Sequence, residues 1–255
     1  MDTDRILELY DRWERRESVQ PGFTRVEGPA TVRMVDDSGG CGCLLWSDLD
    51  GRDADAAIAG ELEFFAGRGQ GFEWKTFSHD RPADLADRLG RAGFKPGELE
   101  SVMALELAEA PDLPGTVPGI EIRRIVDPDG LGDLGVVDGA VWDEDGAAYA
   151  EQVARQMRAC PGYMSVYVAY ADGVPVSASR VILPKGSPFA SLWGGSTLPA
   201  FRNRGIYTAM LAARIAEAAA RGYAFITIDA GPMSRPVVGK RGFRLLAESR
   251  PFLSP

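Results

Sequence analysis

From Leu192 the chain reads Leu-Trp-Gly-Gly-Ser-Thr-Leu-Pro-Ala-Phe-Arg-Asn-Arg-Gly-Ile-Tyr, ending at Tyr207. An apolar strand stops at Pro199, a turn rich in arginine and glycine follows, and a helix opens whose buried face would be Ile206, Met210, Leu211, Ile215 and Ala218. The first turn of a helix leaves backbone N–H groups unpaired and carries partial positive charge, so it holds phosphate without a dedicated side chain. Arg202 and Arg204 add charge, and Gly205, lacking a Cβ, lets the backbone come close to a pyrophosphate. Taken alone, Arg-x-x-Gly is more often a plain basic helix start. The succession of apolar strand, loop, long amphipathic helix and second strand favours an anion anchor.

The elements around this loop alternate along the whole chain. Residues 4–17 have helical spacing (Ile6, Leu9, Tyr10, Trp13), and the stretch to Trp46, broken at Asp36-Asp37-Ser38-Gly39-Gly40, reads as a strand hairpin. A helix over 53–65, a strand over 72–77, a helix opened by Pro82 and stopped at Gly93, and a strand over 101–107 complete the first half. Pro111, Pro114, Gly115 and Pro118 break both helix and strand and mark a linker, so the domains are read as 1–112 and 119–255 with residues 113–118 between them. The second half reads as a strand over 120–125, helices over about 128–142 and 147–159, and strands over 164–170, 174–183 and 189–196. A helix over 205–220, a strand over 224–230, a short helix near Pro236 and a strand from Phe243 follow. The fold class is α+β with a mixed, mostly antiparallel sheet flanked by helices.

The halves share a plan. The strand 72–77 leads to Ser78, Arg81-Pro82, a helix and Gly93-Phe94; the strand 224–230 leads to Ser234, Arg235-Pro236, a helix and Gly242-Phe243. Such punctuation is general, but its recurrence in order reads as a duplicated domain.

The succession over roughly 118–255 resembles the GNAT superfamily of acyltransferases. Arg202-Asn203-Arg204-Gly205-Ile206-Tyr207 matches that family's Arg/Gln-x-x-Gly-x-Gly/Ala pyrophosphate loop except at Tyr207. The first half looks like a degenerate copy, whose matching turn, Leu49-Asp50-Gly51-Arg52-Asp53-Ala54-Asp55, is acidic and would repel a pyrophosphate. One working site per chain is expected. The resemblance implies transfer of an acetyl group from acetyl-CoA to an amine of a small molecule or peptide by direct attack. Ser196, Thr197 and Leu198 would pair with the pantetheine arm, with the Leu198 N–H as donor to the thioester oxygen. Ser234 stands near a family asparagine that contacts the cofactor, and as a source of a bound water or as a helix cap it reads equally well. Where many members have a tyrosine acid, this chain has Val238. A base would come from Asp229, or from Asp143, Glu144 or Asp145 after Trp142. Trp142, Glu144, Tyr149 and Trp193 are candidates for the acceptor pocket, and His79 is read as structural.

Composition narrows the alternatives. The 255 residues are 45% hydrophobic and 25% charged, ordinary for a globular chain with a sizeable core. A net charge of −9 argues against a phosphate-backbone binder and against a charged-tRNA substrate of the peptidoglycan-bridge type. No apolar run approaches the roughly 20 residues of a membrane span, and Met1 to Leu9 lacks the pattern of a signal peptide, so a cytoplasmic protein is expected, with monomer and homodimer both open. Three cysteines and one histidine suit reduced thiols rather than a disulfide framework or a four-ligand zinc site. The glycine-rich 39–42 and 67–71 segments match neither a dinucleotide nor a P-loop fingerprint. A protein that binds acyl-CoA without turnover is the rival of a different class.

Overall fold

The computed structural model describes residues 2–255. Its strands are β1 (Phe23–Glu27), β2 (Thr31–Asp36), β3 (Gly42–Ser47), β4 (Phe72–Phe77), β5 (Lys95–Pro96), β6 (Glu100–Glu106), β7 (Ile120–Ile125), β8 (Met164–Ala171), β9 (Val174–Ile182), β10 (Phe189–Thr197), β11 (Phe225–Ala230) and β12 (Arg244–Leu253). The helices are α1 (Thr3–Tyr10), α2 (Ala54–Ala66), α3 (Leu85–Arg91), α4 (Gly132–Trp142), α5 (Gly146–Ala159), α6 (Ile206–Ala220) and α7 (Arg235–Gly239). The architecture is α+β: β3–β4 and β10–β11 pair parallel, while β1–β2, β2–β3, β4–β12, β5–β12, β7–β8, β8–β9 and β9–β10 pair antiparallel.

Two compact units form, and they interleave in sequence: Met1–Met103 with Asp229–Val238 and Arg244–Pro255, and Ala104–Ile228 with Gly239–Phe243. The sequence-based division at 113–118 is contiguous; the units are not, because strand pairing acts between residues far apart in the chain. β12, the last strand of the second half, pairs antiparallel with β4, from Ser249↔Phe77 to Leu253↔Glu73. Conversely, the end of β6 lies in the second unit, where Leu107 donates its N–H to the Ala224 carbonyl at 2.8 Å.

In the first unit the order β1-β2-β3-β4-β12 builds one sheet, and β5 adds to β12. Leu44, Phe72, Trp74 and Phe252 point from it into a core with Ile58 and Phe65 of α2 and Leu85 and Leu89 of α3. Phe65 stacks on Phe72 with ring centres 4.3 Å apart. Asp53 caps α2 by accepting from the Ala56 N–H, as its place before the apolar run implies.

In the second unit the order is β11-β10-β9-β8-β7. Leu134 and Val137 of α4 and Val153, Ala154 and Met157 of α5 close over Val166, Val168 and Ala178 of the sheet. These helices approach closely because Gly135 and Gly146 face each other: a Cβ on either would collide with the other's backbone. Ile206, Met210, Leu211, Ile215 and Ala218 of α6 are all buried, the face read from their spacing.

Candidate functional site

The loop singled out in the sequence sits in the second unit as the entry to α6. Gly205, at φ +83°, is its N-cap, and the first helical bond runs from the Ala209 N–H to the Gly205 carbonyl. The N–H groups of Ile206, Tyr207 and Thr208 therefore lie ahead of the first helical bond. No side chain caps α6 and no acid stands in its first turn. Among the described α-helices of eight residues or more it alone lacks both: Asp2, Asp53 and Asp145 cap α1, α2 and α5, and α4 carries Asp133. An uncapped positive end is the arrangement that suits an external anion. The equivalent turn of the first half is filled by its own carboxylates, Asp53 as cap and Asp55 in the first turn.

Around this helix start, Arg204 packs over the Phe201 ring at 5.1 Å, and Arg202 donates to the Thr197 carbonyl at 3.0 Å, which ties the loop to the end of β10. Asn203 has φ +61°. Tyr207 packs its ring beside Gly195, where a Cβ would lie 3.3 Å from the ring edge, and burial raises its phenol above the ordinary value. Sequence reading missed Arg241, whose Nε and Nη2 donate to Thr208 Oγ1 in the first turn of α6 at 3.1 and 2.5 Å. Its place beside the Gly242-Phe243 stop was the available signal.

β10 is regular only as far as Leu192. Its parallel register with β11 runs from Phe189↔Phe225 to Leu192↔Ile228, while β10 continues to Thr197 beside β9. Against β9, Trp193 opposes Arg180 and Ser196 opposes Ala178, so three steps on β10 match two on β9. The extra residue is a bulge at Gly194-Gly195, which leaves backbone groups there outside the ladder. On a regular strand Trp193 and Ser196, three apart, would face opposite ways; the bulge restores their parity and turns both toward α4 and α5.

That face gathers most of the proposed acceptor residues. Trp142, the last residue of α4, donates its Nε1–H to Ser196 Oγ at 2.9 Å, and Ser196 Oγ donates to Asp138 Oδ1 at 2.7 Å. Trp193 donates its Nε1–H to Ser191 Oγ at 3.0 Å. A Cβ built on Gly194 would meet Tyr149 Oη at 3.1 Å and Arg180 Nε at 3.5 Å, and the Arg180 guanidinium lies 5.2 Å from the Tyr149 ring centre. Burial raises the Asp138 carboxyl above its ordinary value despite the Ser196 bond and the Arg180 charge, and Glu144 nearby pushes the same way. Burial also raises Tyr149, against the pull of Arg180. Asp138 and Arg180 were not read from the sequence. An aspartate inside the apolar run Leu134–Val141 was the signal for the first.

Leu198 and Asp229 do not hold the roles expected of them. The Leu198 N–H donates to the Val176 carbonyl at 3.0 Å, so it belongs to the sheet and has nothing left for a thioester oxygen. The carbonyls of Ser196 and Thr197 likewise have partners, in Ser177 Oγ at 2.7 Å and Arg202 Nε. Asp229 falls in the first unit, where its carboxylate meets Lys75 Nζ at 2.5 Å, with Glu100 at 3.2 Å on the same ammonium. Burial would lower Lys75, but the two carboxylates override it and hold the amine above its ordinary value, so Asp229 is an ion-pair partner and not a free base. Ser234, also in the first unit, donates its hydroxyl to the Gly231 carbonyl at 3.3 Å, while its own carbonyl accepts from Val237 and Val238. Val238 is fully buried. Of the loop acids, Asp143 ends α4 at φ +57°, Asp145 caps α5, and Glu144 is exposed. His79 joins a first-unit network with Asp11 at 2.8 Å, while Arg15, reaching Asp80 at 2.6 Å, lies 3.0 Å from its Nε2.

Neither a protein-family model nor a curated protein matches the sequence. Solved structures do match. A GCN5-related N-acetyltransferase from Kribbella flavida aligns over 100% of this chain and 96% of its own at 15% identity, with a TM-score of 0.72. A tandem GNAT protein from the clavulanic acid biosynthesis pathway aligns over 99% of this chain and 87% of its own at 13% identity and a TM-score of 0.64. A functionally unknown conserved protein from Staphylococcus epidermidis aligns over 93% and 96% at 13% identity and 0.66. What these share with the chain is its fold: the α+β GNAT fold in tandem form. No helix of the described residues is long and apolar enough to cross a membrane.

Proposed function

We propose that the chain is an acyl-CoA-dependent N-acyltransferase, with acetyl-CoA as donor and a small-molecule or peptide amine as acceptor. The observation that carries this reading is the start of α6, uncapped, free of acids and preceded by left-handed Gly205, next to a strand that leaves its parallel neighbour after Leu192. The pyrophosphate would sit on the N–H groups of Ile206 to Thr208, with Arg202, Arg204 and Arg241 supplying positive charge. From there the pantetheine arm would run back along β10 toward Leu192, which brings the thioester to the bulge at Gly194-Gly195.

In this reading a backbone N–H of the bulge, rather than that of Leu198, stabilises the oxyanion, an effect on the order of 10²–10³ in rate. The amine nitrogen attacks the carbonyl carbon, the C–S bond breaks, and the amine releases a proton to solvent or a carboxylate. The thiolate of a thiol with pKa about 8.5 leaves without a dedicated acid. The protein's own part is orientation of two substrates and exclusion of water between them.

The test is calorimetric titration of acetyl-CoA, followed by an assay for free CoA with a panel of amines. One-to-one binding with amine-dependent release of CoA is expected. Binding without release with any amine makes the chain a sensor of acyl-CoA, and no binding at millimolar cofactor overturns the reading altogether.

A further inference from the structure

On the α4/α5 face of the second unit two large indoles stand exposed, Trp142 at 57% and Trp193 at 47%. Exposed tryptophans ordinarily keep rotamer freedom, yet both are fixed at their ring N–H, one to Ser196 and the other to Ser191. Trp142 is pinned through Ser196 to Asp138, a carboxylate only 6% exposed. Asp138 Oδ1 is used in that chain, and its other oxygen, Oδ2, is buried without a hydrogen-bond partner. A buried carboxylate with an unmatched oxygen is costly and is kept where a ligand or a fixed geometry requires it.

The charges facing this patch come from three elements. Asp138 lies on α4, and Glu144 acts on both Asp138 and Tyr149. Asp143 and Asp145 flank Glu144, the latter engaged as the cap of α5. Arg180 on β9 is the one cation among them, and its field falls on Asp138 and on the Tyr149 ring. The Asp138 and Glu144 carboxylates against the one Arg180 guanidinium leave the patch negative, and indole faces are the strongest aromatic partners for a cation.

We propose that this face, built by the bulge that turns Trp193 and Ser196 the same way, is the acceptor site of the transferase reading above, and that it takes a primary ammonium carried on an apolar or aromatic frame. The ammonium is held in the field of Asp138 and Glu144 while the frame lies on the indoles of Trp142 and Trp193. A carboxylate on the same frame is repelled by the same groups, which makes an arylalkylamine a better acceptor than the corresponding amino acid.

Three probes on one phenylethyl frame test this: 2-phenylethylamine with an ammonium, 2-phenylethanol with a hydroxyl in its place, and L-phenylalanine with an added carboxylate, titrated calorimetrically into the full chain saturated with CoA. The amine is expected to bind about tenfold more tightly than either analogue, and Trp142→Leu and Glu144→Gln each to weaken it about fivefold with CoA affinity unchanged. Equal binding of the alcohol or the amino acid, absence of binding by all three, or wild-type amine affinity in Trp142→Leu overturns the proposal. The readout is binding, so it separates from turnover: amine bound in the expected order but never acetylated refutes the transferase and leaves the site. Acetyl transfer that favours the amino acid refutes the site and leaves the transferase.

Discussion

Gly205→Asp separates the fold from the proposed anion site. The residue has φ +83°, and a Cβ there would meet only Val117 Cγ2, at an ordinary 3.7 Å, so the penalty is conformational and not steric crowding. A left-handed L-residue costs about 1–2 kcal/mol, with aspartate at the low end, and a carboxylate at a helix N-terminus returns about 0.3–1 kcal/mol. The net loss of stability is therefore about 1 kcal/mol or less, a fall of a few degrees in the thermal midpoint. Against a pyrophosphate the same carboxylate is decisive. A like charge about 5 Å away at an effective dielectric of about 20 costs roughly 3 kcal/mol, or about 100-fold in affinity. Gly205→Ala carries the backbone strain without the charge and serves as control. Calorimetric titration of acetyl-CoA beside a thermal melt is the assay. Gly205→Asp is expected to melt within a few degrees of wild type and to lose at least about 100-fold in acetyl-CoA affinity, and Gly205→Ala, which adds the Cβ without the charge, to lose less. If Gly205→Asp binds acetyl-CoA as tightly as wild type, the α6 terminus is not where the pyrophosphate lies.

Arg241→Ala is expected to weaken acetyl-CoA about three- to tenfold and to flatten the salt dependence of binding, since it removes one cation from the first turn of α6. Asp229→Asn leaves Lys75 buried with only Glu100, so denaturant unfolding should show a loss of about 3 kcal/mol. Any amine acetylation should survive in that variant at temperatures where it is folded, and loss of turnover with intact structure would restore Asp229 as a base. For Asp138 the folded carboxyl is raised, chiefly by burial, so its ionised form opposes folding above the raised value and is neutral in effect below the ordinary one of about 3.9. Asp138→Asn should therefore match or exceed wild-type stability at neutral pH. That advantage should shrink as pH falls from the raised value toward the ordinary one, a trend read from denaturation midpoints across pH; an advantage that grows on acidification refutes the assignment.

Local pattern in the sequence was enough to determine the elements that position the site. The alternation at Ile120–Ile125 and Phe72–Phe77 gives β7 and β4, the spacing of Ile206, Met210 and Ile215 gives the buried face of α6, and its acid-free first turn marks the helix end proposed to take an anion. Even the contrast between the two halves is written there, because a cap such as Asp53 acts within a few residues of itself. Register and pairing were decided elsewhere. Nothing near Leu198 announces that its N–H will be taken by Val176, that Asp229 will meet Lys75, 154 positions away, or that β12 will join β4 rather than stay with its own half. The bulge at Gly194-Gly195 is the clearest case. Two glycines are visible in the sequence, but only pairing against Arg180 and Ala178 shows that they shift the strand by one residue. That single step turns Ser196 toward Asp138 and Trp142, because side-chain direction on a strand depends on parity, which the partner strand sets.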